Sequence, residues 1–220
     1  MKVLGFDTST AATGACLLRD DGEAFEVIPS EEQLTGPPGH ARELMPAIAK
    51  VMADAGLRYP DLDGIAVGVG PGTFTGLRIG VATARALAHA HDIPVHAVSS
   101  LAALAGGIEA EHRLPLIDAK RGELFAALYS GDEEVWPPFA ATPAALIERV
   151  REAAVTVKAA GDGSLRFREE LEAGGIALGP AGAHAVRGLH ICRFAARVPA
   201  VPPEALLPNY LREPDAKPQR

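Results

Sequence analysis

The chain contains one arrangement twice, and this limits its fold more than any other feature. Val3-Leu4-Gly5-Phe6-Asp7 is an apolar run that ends in an aspartate, passes a short polar turn and returns as Gly14-Ala15-Cys16-Leu17-Leu18. Leu114-Pro115-Leu116-Ile117-Asp118 does the same, turning through Ala119-Lys120-Arg121-Gly122 and returning from Glu123 to Tyr129. The two aspartates stand 111 positions apart in a chain of 220 residues. Duplication at about half the chain length points to two related lobes.

Around each copy the pattern continues. After the first, Asp20-Asp21-Gly22 joins strands expected over 14–19 and 23–28, since Asp and Gly tolerate the positive φ of a hairpin turn. Leu44, Ile48, Val51, Met52 and Ala55 recur at helical spacing over 40–55, and Gly56 closes that helix. Residues 64–69 are continuously apolar, as in a strand covered on both faces, and a helix over 75–91 and a strand over 95–98 follow. After the second copy, Thr142-Pro143 opens a helix to about residue 153. A strand over 155–160 then leads through Gly161-Asp162-Gly163-Ser164 into one helix ending near Gly174-Gly175. The expectation is an α/β protein with mixed sheets flanked by helices. Its N-terminal lobe covers 1–105 and a smaller C-terminal lobe 106–212, with the last helices able to pack back on the first lobe and a frayed tail over 213–220.

Charge and composition exclude several functions. With 21 basic and 28 acidic residues the net charge is −7, and no Lys/Arg cluster supplies the basic face that nucleic-acid binding needs. Cys16 and Cys192 sit among apolar neighbours, outside any CxxC pair, and read as core thiols. The seven histidines form no HxxxH or HExxH pair, so no metal site is expected. No apolar run approaches the ~20 residues needed to span a bilayer, and a cytoplasmic protein without membrane association is expected.

Three segments carry possible chemistry. Asp7-Thr8-Ser9-Thr10 ends a strand with a carboxylate and hydroxyls, which suits either a hydrated metal ion and a phosphate or a self-satisfied turn. Gly68-Val69-Gly70-Pro71-Gly72-Thr73-Phe74-Thr75-Gly76-Leu77-Arg78-Ile79-Gly80 matches neither the Walker nor the GxGxxG spacing. It permits a sharp strand-to-helix turn capped by Thr73 or Thr75, with free amides able to meet an anion. On the helix over 40–55, Ala41, Met45, Ala49 and Met52 lie beside the main apolar stripe, either widening the core face or forming a second face for a partner helix.

These residues resemble the TsaB (YeaZ) family. The opening Leu4-Gly5-Phe6-Asp7-Thr8-Ser9-Thr10 is similar to that family's start, and Gly70 to Gly80 to its GPGSFTGLRIG segment. His40-Ala41-Arg42-Glu43-Leu44-Met45-Pro46, Ile117-Asp118-Ala119-Lys120-Arg121-Gly122-Glu123 and Leu207-Pro208-Asn209-Tyr210-Leu211-Arg212 resemble further family marks, in the family's order. The resemblance implies an actin-like ATPase (ASKHA, ribonuclease H-like) fold. It also implies a non-catalytic scaffold and activating subunit for making N6-threonylcarbamoyladenosine at tRNA position 37. The implied partners are the catalytic TsaD-type transferase and a TsaE-type P-loop ATPase, with a homodimer when the chain is alone and tRNA reached only through the complex. No catalytic residue, metal or required cofactor is expected; ATP or ADP belongs to the assembled complex. Nucleotide or phosphate contacts, where made, are assigned to Asp7, Thr8, Ser9, Thr10, Asp118, Gly161 and Gly163. The partner interface is assigned to Ala41, Met45, Ala49, Met52, Thr73, Thr75 and Arg78. Ser9 stands where actin-like ATPases place a glycine, which counts against independent ATP hydrolysis. The competing reading is an enzyme in its own right, an ATP-dependent small-molecule kinase or a peptidase; a nucleotide-sensing regulator shares the fold.

Overall fold

The computed structural model describes residues 1–212; the tail expected over 213–220 lies outside the described residues. Strands β1 (Val3–Asp7), β2 (Gly14–Leu18) and β3 (Ala24–Val27) are followed by helices α1 (Glu31–Thr35) and α2 (His40–Asp54). Next come β4 (Gly64–Gly70), α3 (Phe74–His91), β5 (Val95–Ser99) and α4 (Ser100–Ala105). The second half holds β6 (His112–Lys120), β7 (Glu123–Ser130), β8 (Glu133–Ala141), α5 (Pro143–Ala153) and β9 (Val157–Ala160). It ends with α6 (Asp162–Arg166), α7 (Arg168–Ala173), β10 (Ala177–Leu178), α8 (Gly188–Ala195) and β11 (Ala200–Val201).

The strands form two mixed sheets, ordered β11-β5-β4-β1-β2-β3 and β10-β9-β6-β7-β8. Read from the hairpin edge, both run third strand, second, first, then two parallel strands beyond, and the first sheet adds antiparallel β11 at its far edge, so the sequence duplication is a duplication of topology over five strands. β1 pairs antiparallel with β2 and parallel with β4, and β6 pairs antiparallel with β7 and parallel with β9. Parallel neighbours need crossover connections, and α2, α3 and α5 belong to those crossovers.

Alternation along β1 splits its side chains. Leu4 and Phe6 join a core with Leu44, Ile48, Val51 and Met52 of α2 and Val81 and Ala84 of α3. Val3 faces a second core that includes α4, α8 and Ile117, Phe125 and Tyr129 of the other sheet, so this core fuses the two lobes. A third core, with Leu116, Leu128, Leu146 and Leu171, lies beneath α5 and α7. Helix α2 ends in a Schellman motif: Gly56 takes φ +65°, its amide bonds Ala53 O at 3.0 Å, and the Leu57 amide bonds Met52 O at 3.1 Å. Thr142 caps α5 through a 3.3 Å bond from the Ala145 amide. The single helix expected after Gly161 is instead two, broken at Phe167 (φ −111°, ψ 29°). No helix among the described residues is long and apolar enough to cross a membrane.

Candidate functional site

Both strand-ending aspartates make the same local turn. Asp7 Oδ1 accepts from the Ser9 amide at 2.8 Å, and Asp118 Oδ1 from the Lys120 amide at 2.8 Å. Their surroundings then diverge.

The first turn is filled by the chain itself. Asp7 is 1% exposed; its Oδ1 also accepts from the Ser9 hydroxyl at 2.7 Å, and its Oδ2 from the Ser100 hydroxyl at 2.7 Å. Burial pushes the Asp7 carboxyl up, opposed by these hydrogen bonds and by His40. The Thr8 hydroxyl donates to Gly76 O at 2.7 Å, and Ser9 O accepts from the Thr73 amide at 2.7 Å. The glycine-rich segment therefore lies directly on the turn. A Cβ on Gly76 would stand 2.0 Å from Thr8 O, and one on Gly72 2.4 Å from Ser9 O, which only glycine avoids. Thr8, Ser9 and Thr10 are fully buried. Asp7, Thr8, Ser9 and Thr10, the residues expected to meet a phosphate, thus have their polar groups hydrogen-bonded within the chain. Thr73 is the N-cap of α3, but its hydroxyl is buried without a hydrogen-bond partner, and Thr75 lies inside the helix.

His40 completes this buried network, a role invisible to a search for histidine pairs. Its Nε2 donates to Thr10 O at 3.0 Å, which leaves Nδ1 to accept from the Thr13 hydroxyl at 2.9 Å. Burial lowers its pKa against the Thr10 bond and the charges of Asp7 and Glu43. Only the three-dimensional placement of α2 over the β1–β2 connection brings these groups together.

The second turn opens on a cleft. Asp118 Oδ2 accepts from Lys120 Nζ and from Arg166 Nη1, both at 2.8 Å. Burial would raise the Asp118 carboxyl, but the hydrogen bonds and charge of Lys120, with Arg166, outweigh it and hold it low. Lys120, Arg121 and Gly122 all take positive φ (64°, 56° and 82°). The Asp118 amide donates to Asp162 Oδ1 at 3.1 Å, and burial raises the Asp162 carboxyl to about 6. Gly161 and Gly163 are packed beneath β6, where a Cβ on Gly161 would meet Leu116 O at 1.9 Å, so they stand behind this turn. The cleft, about 710 Å³, runs between Gly72, Thr73, Phe74 and Thr75 on one lobe and Asp118, Lys120 and Arg121 on the other. Among the described residues no group of three His, Cys, Asp or Glu is placed to hold a metal ion.

On α2, Ala41, Met45 and Ala49 are exposed, Met45 to 46%. Met52 is only 6% exposed and belongs to the core, which removes it from the stripe expected to carry a partner. Arg78, on α3, lies over the Phe74 ring at 3.8 Å.

Two lobes that share a five-strand order, fused through a common core and facing each other across a cleft, define a protein of the actin-like ATPase fold. The family model for TsaD, tRNA N6-adenosine threonylcarbamoyltransferase, matches residues 36–164. TsaB of Bacillus subtilis, a tRNA threonylcarbamoyladenosine biosynthesis protein, is 39% identical over 131 residues, 59% of this chain and 55% of that protein. An uncharacterized protein of Mycobacterium leprae is 36% identical over 226 residues, so the chain spans 98% of itself but 56% of that relative's length. The solved structure of YeaZ from Pseudomonas aeruginosa superposes with a TM-score of 0.76 at 31% identity, covering 95% of this chain and 100% of that one. The chain belongs to the TsaB (YeaZ) family.

Proposed function

We propose that this chain is a non-catalytic activating subunit in the biosynthesis of threonylcarbamoyladenosine at tRNA position 37, the process for which its TsaB relatives are named. One observation carries the non-catalytic part: the polar groups of the first turn are already hydrogen-bonded within this same chain, to the glycine-rich segment, Ser100 and His40. The specific work then falls to a surface. Ala41, Met45 and Ala49 of α2, beside Thr73, Thr75 and Arg78 at the start of α3, form the face that docks a TsaD-type catalytic subunit. Small residues allow helices to approach to ~8–10 Å, and methionine adapts to an imperfect partner surface. The same face supports a homodimer when that partner is missing. A TsaE-type ATPase joins the assembly, ATP or ADP belongs to the assembled complex, and tRNA is reached through the partner in the cytoplasm.

Ala49→Arg tests this reading. The exposed position tolerates arginine in the free chain, while a buried unpaired charge in the interface should weaken association by about 100-fold or more. Calorimetric titration with the TsaD-type subunit, and mass spectrometry of tRNA from cells relying on the variant, should show lost binding and lost modification. A folded variant with unchanged affinity places the interface elsewhere. ATP turnover by the isolated chain that disappears in Asp7→Ala would restore the enzyme reading.

A further inference from the structure

The segment after the last short helical turn crosses from one lobe to the other. Leu206 is fully buried in the first-lobe core. The Asn209 amide donates to Val69 O at 2.7 Å, at the end of β4. Tyr210 packs its ring on Phe74, centroids 5.2 Å apart, and its hydroxyl accepts from Arg78 Nε at 3.1 Å, so two side chains one turn apart at the start of α3 engage it. Two residues later the attachment changes lobe. Arg212 Nη2 donates to Ala119 O at 2.9 Å, and Nη1 pairs with the Glu123 carboxylate. Ala119 and Glu123 flank the left-handed turn of Lys120, Arg121 and Gly122. Tyr210, Leu211 and Arg212 also line the cleft.

We propose that residues 206–212 are an interlobe latch that couples the start of α3 to the β6–β7 turn and so sets the width of the cleft between them. Left-handed φ at Lys120 and Arg121 is costly for residues with a side chain, and the turn is held from outside by Arg212 as well as from within by Asp118. What engages or displaces Tyr210 on α3 is thereby transmitted to the far wall of the cleft. The coupling stands whether or not α3 carries the partner interface.

Hydrogen exchange on the full chain tests it. Arg212→Ala should speed exchange of the Lys120, Arg121 and Gly122 amides by roughly tenfold, as expected when one local closing interaction is removed. The decisive variant is Tyr210→Ala, whose side chain engages the first lobe: it should speed the same second-lobe amides by several-fold while β1 and β2 amides keep wild-type rates. Tyr210→Phe, which retains the ring, should give a smaller acceleration and serves if truncation unfolds the chain. Wild-type exchange at the β6–β7 turn in both Tyr210 variants would overturn the latch, leaving Arg212 with a local role only.

Discussion

The Asp7 and Asp118 turns begin from one backbone geometry and end in different environments. In each, a carboxylate oxygen fixes the amide two residues on, at 2.8 Å. At Asp7 the further partners are two buried hydroxyls of the same chain, Ser9 and Ser100, beneath glycines that press backbone on backbone. At Asp118 the further partners are two cations, Lys120 and Arg166, whose side chains remain about half exposed (56% and 48%). A duplicated fold can thus retire one copy of a turn as packing and keep the other facing a cleft. What decides between them is whether a neighbouring segment has the small residues needed to fill the space.

The contrast breaks most easily at the filled turn. Gly76→Val places a branched side chain against Thr8 O, where a Cβ alone would stand at 2.0 Å. Neither backbone can yield cheaply, so the expected loss is about 4 kcal/mol or more, at the upper end for overpacking. Urea denaturation followed by circular dichroism measures it. A loss below about 1 kcal/mol would mean that the segment is not tightly seated. Asp7→Ala comes next. It orphans the Ser9 amide and two buried hydroxyls, each worth roughly 1–3 kcal/mol, partly offset by relief of the buried carboxylate; a net loss of about 3 kcal/mol is expected. Asp7→Asn, which keeps an acceptor oxygen, should recover a substantial part of that loss.

The duplication, the main strands and helices and the glycine-rich turn were legible because each has a local signal: an apolar run, a 3.6-residue period or a glycine cluster. Strand β8 had none. Its Pro137-Pro138 pair interrupts any alternation, and such prolines are tolerated because β8 is an edge strand. Helix α8, eight residues opened by a glycine, was too short to announce itself. The site was less legible than the fold. The Asp7 and Asp118 turns could be located, but their different fates depend on contacts across 68 and 48 positions, Thr8 with Gly76 and Asp118 with Arg166. Met52 shows the same limit in miniature: its spacing fits both the core stripe of α2 and the second stripe with Ala41, Met45 and Ala49, and in the structure it packs in the core.

Asp162 sharpens the comparison through pH. Its folded carboxyl is raised to about 6 by burial, with Asp118 adding a like charge. Between the unfolded value and about 6 the native state holds a proton that the unfolded chain has released, so stability falls as pH rises through that window. The full shift corresponds to at most about 3 kcal/mol. Asp162→Asn keeps the oxygen that accepts from the Asp118 amide and removes the buried charge. It should therefore be more stable than the parent by about 2 kcal/mol at pH 8, with the gain vanishing near pH 4. A constant difference across that range would show that Asp162 is not the titrating group.

The smallest effect is expected where the second turn differs most from the first. Asp118→Ala removes a carboxylate that holds the Lys120 amide, Lys120 Nζ and Arg166. Unlike the partners of Asp7, both cations border solvent and can turn to water, and the freed amide stands at the cleft wall. The desolvation penalty that dominates at Asp7 is therefore largely avoided, and the loss at pH 7 should be about 1 kcal/mol. The sign of its pH dependence is opposite to that of Asp162. Lys120 and Arg166 hold the folded Asp118 carboxyl below its ordinary value, so its contribution is complete above that value and is lost as pH falls through the folded one. The difference between parent and variant in urea denaturation should thus shrink from pH 7 toward pH 3. If Asp118→Ala instead costs as much as Asp7→Ala at neutral pH, the second turn is as tightly built into the core as the first, and the division between a filled turn and an open one does not hold.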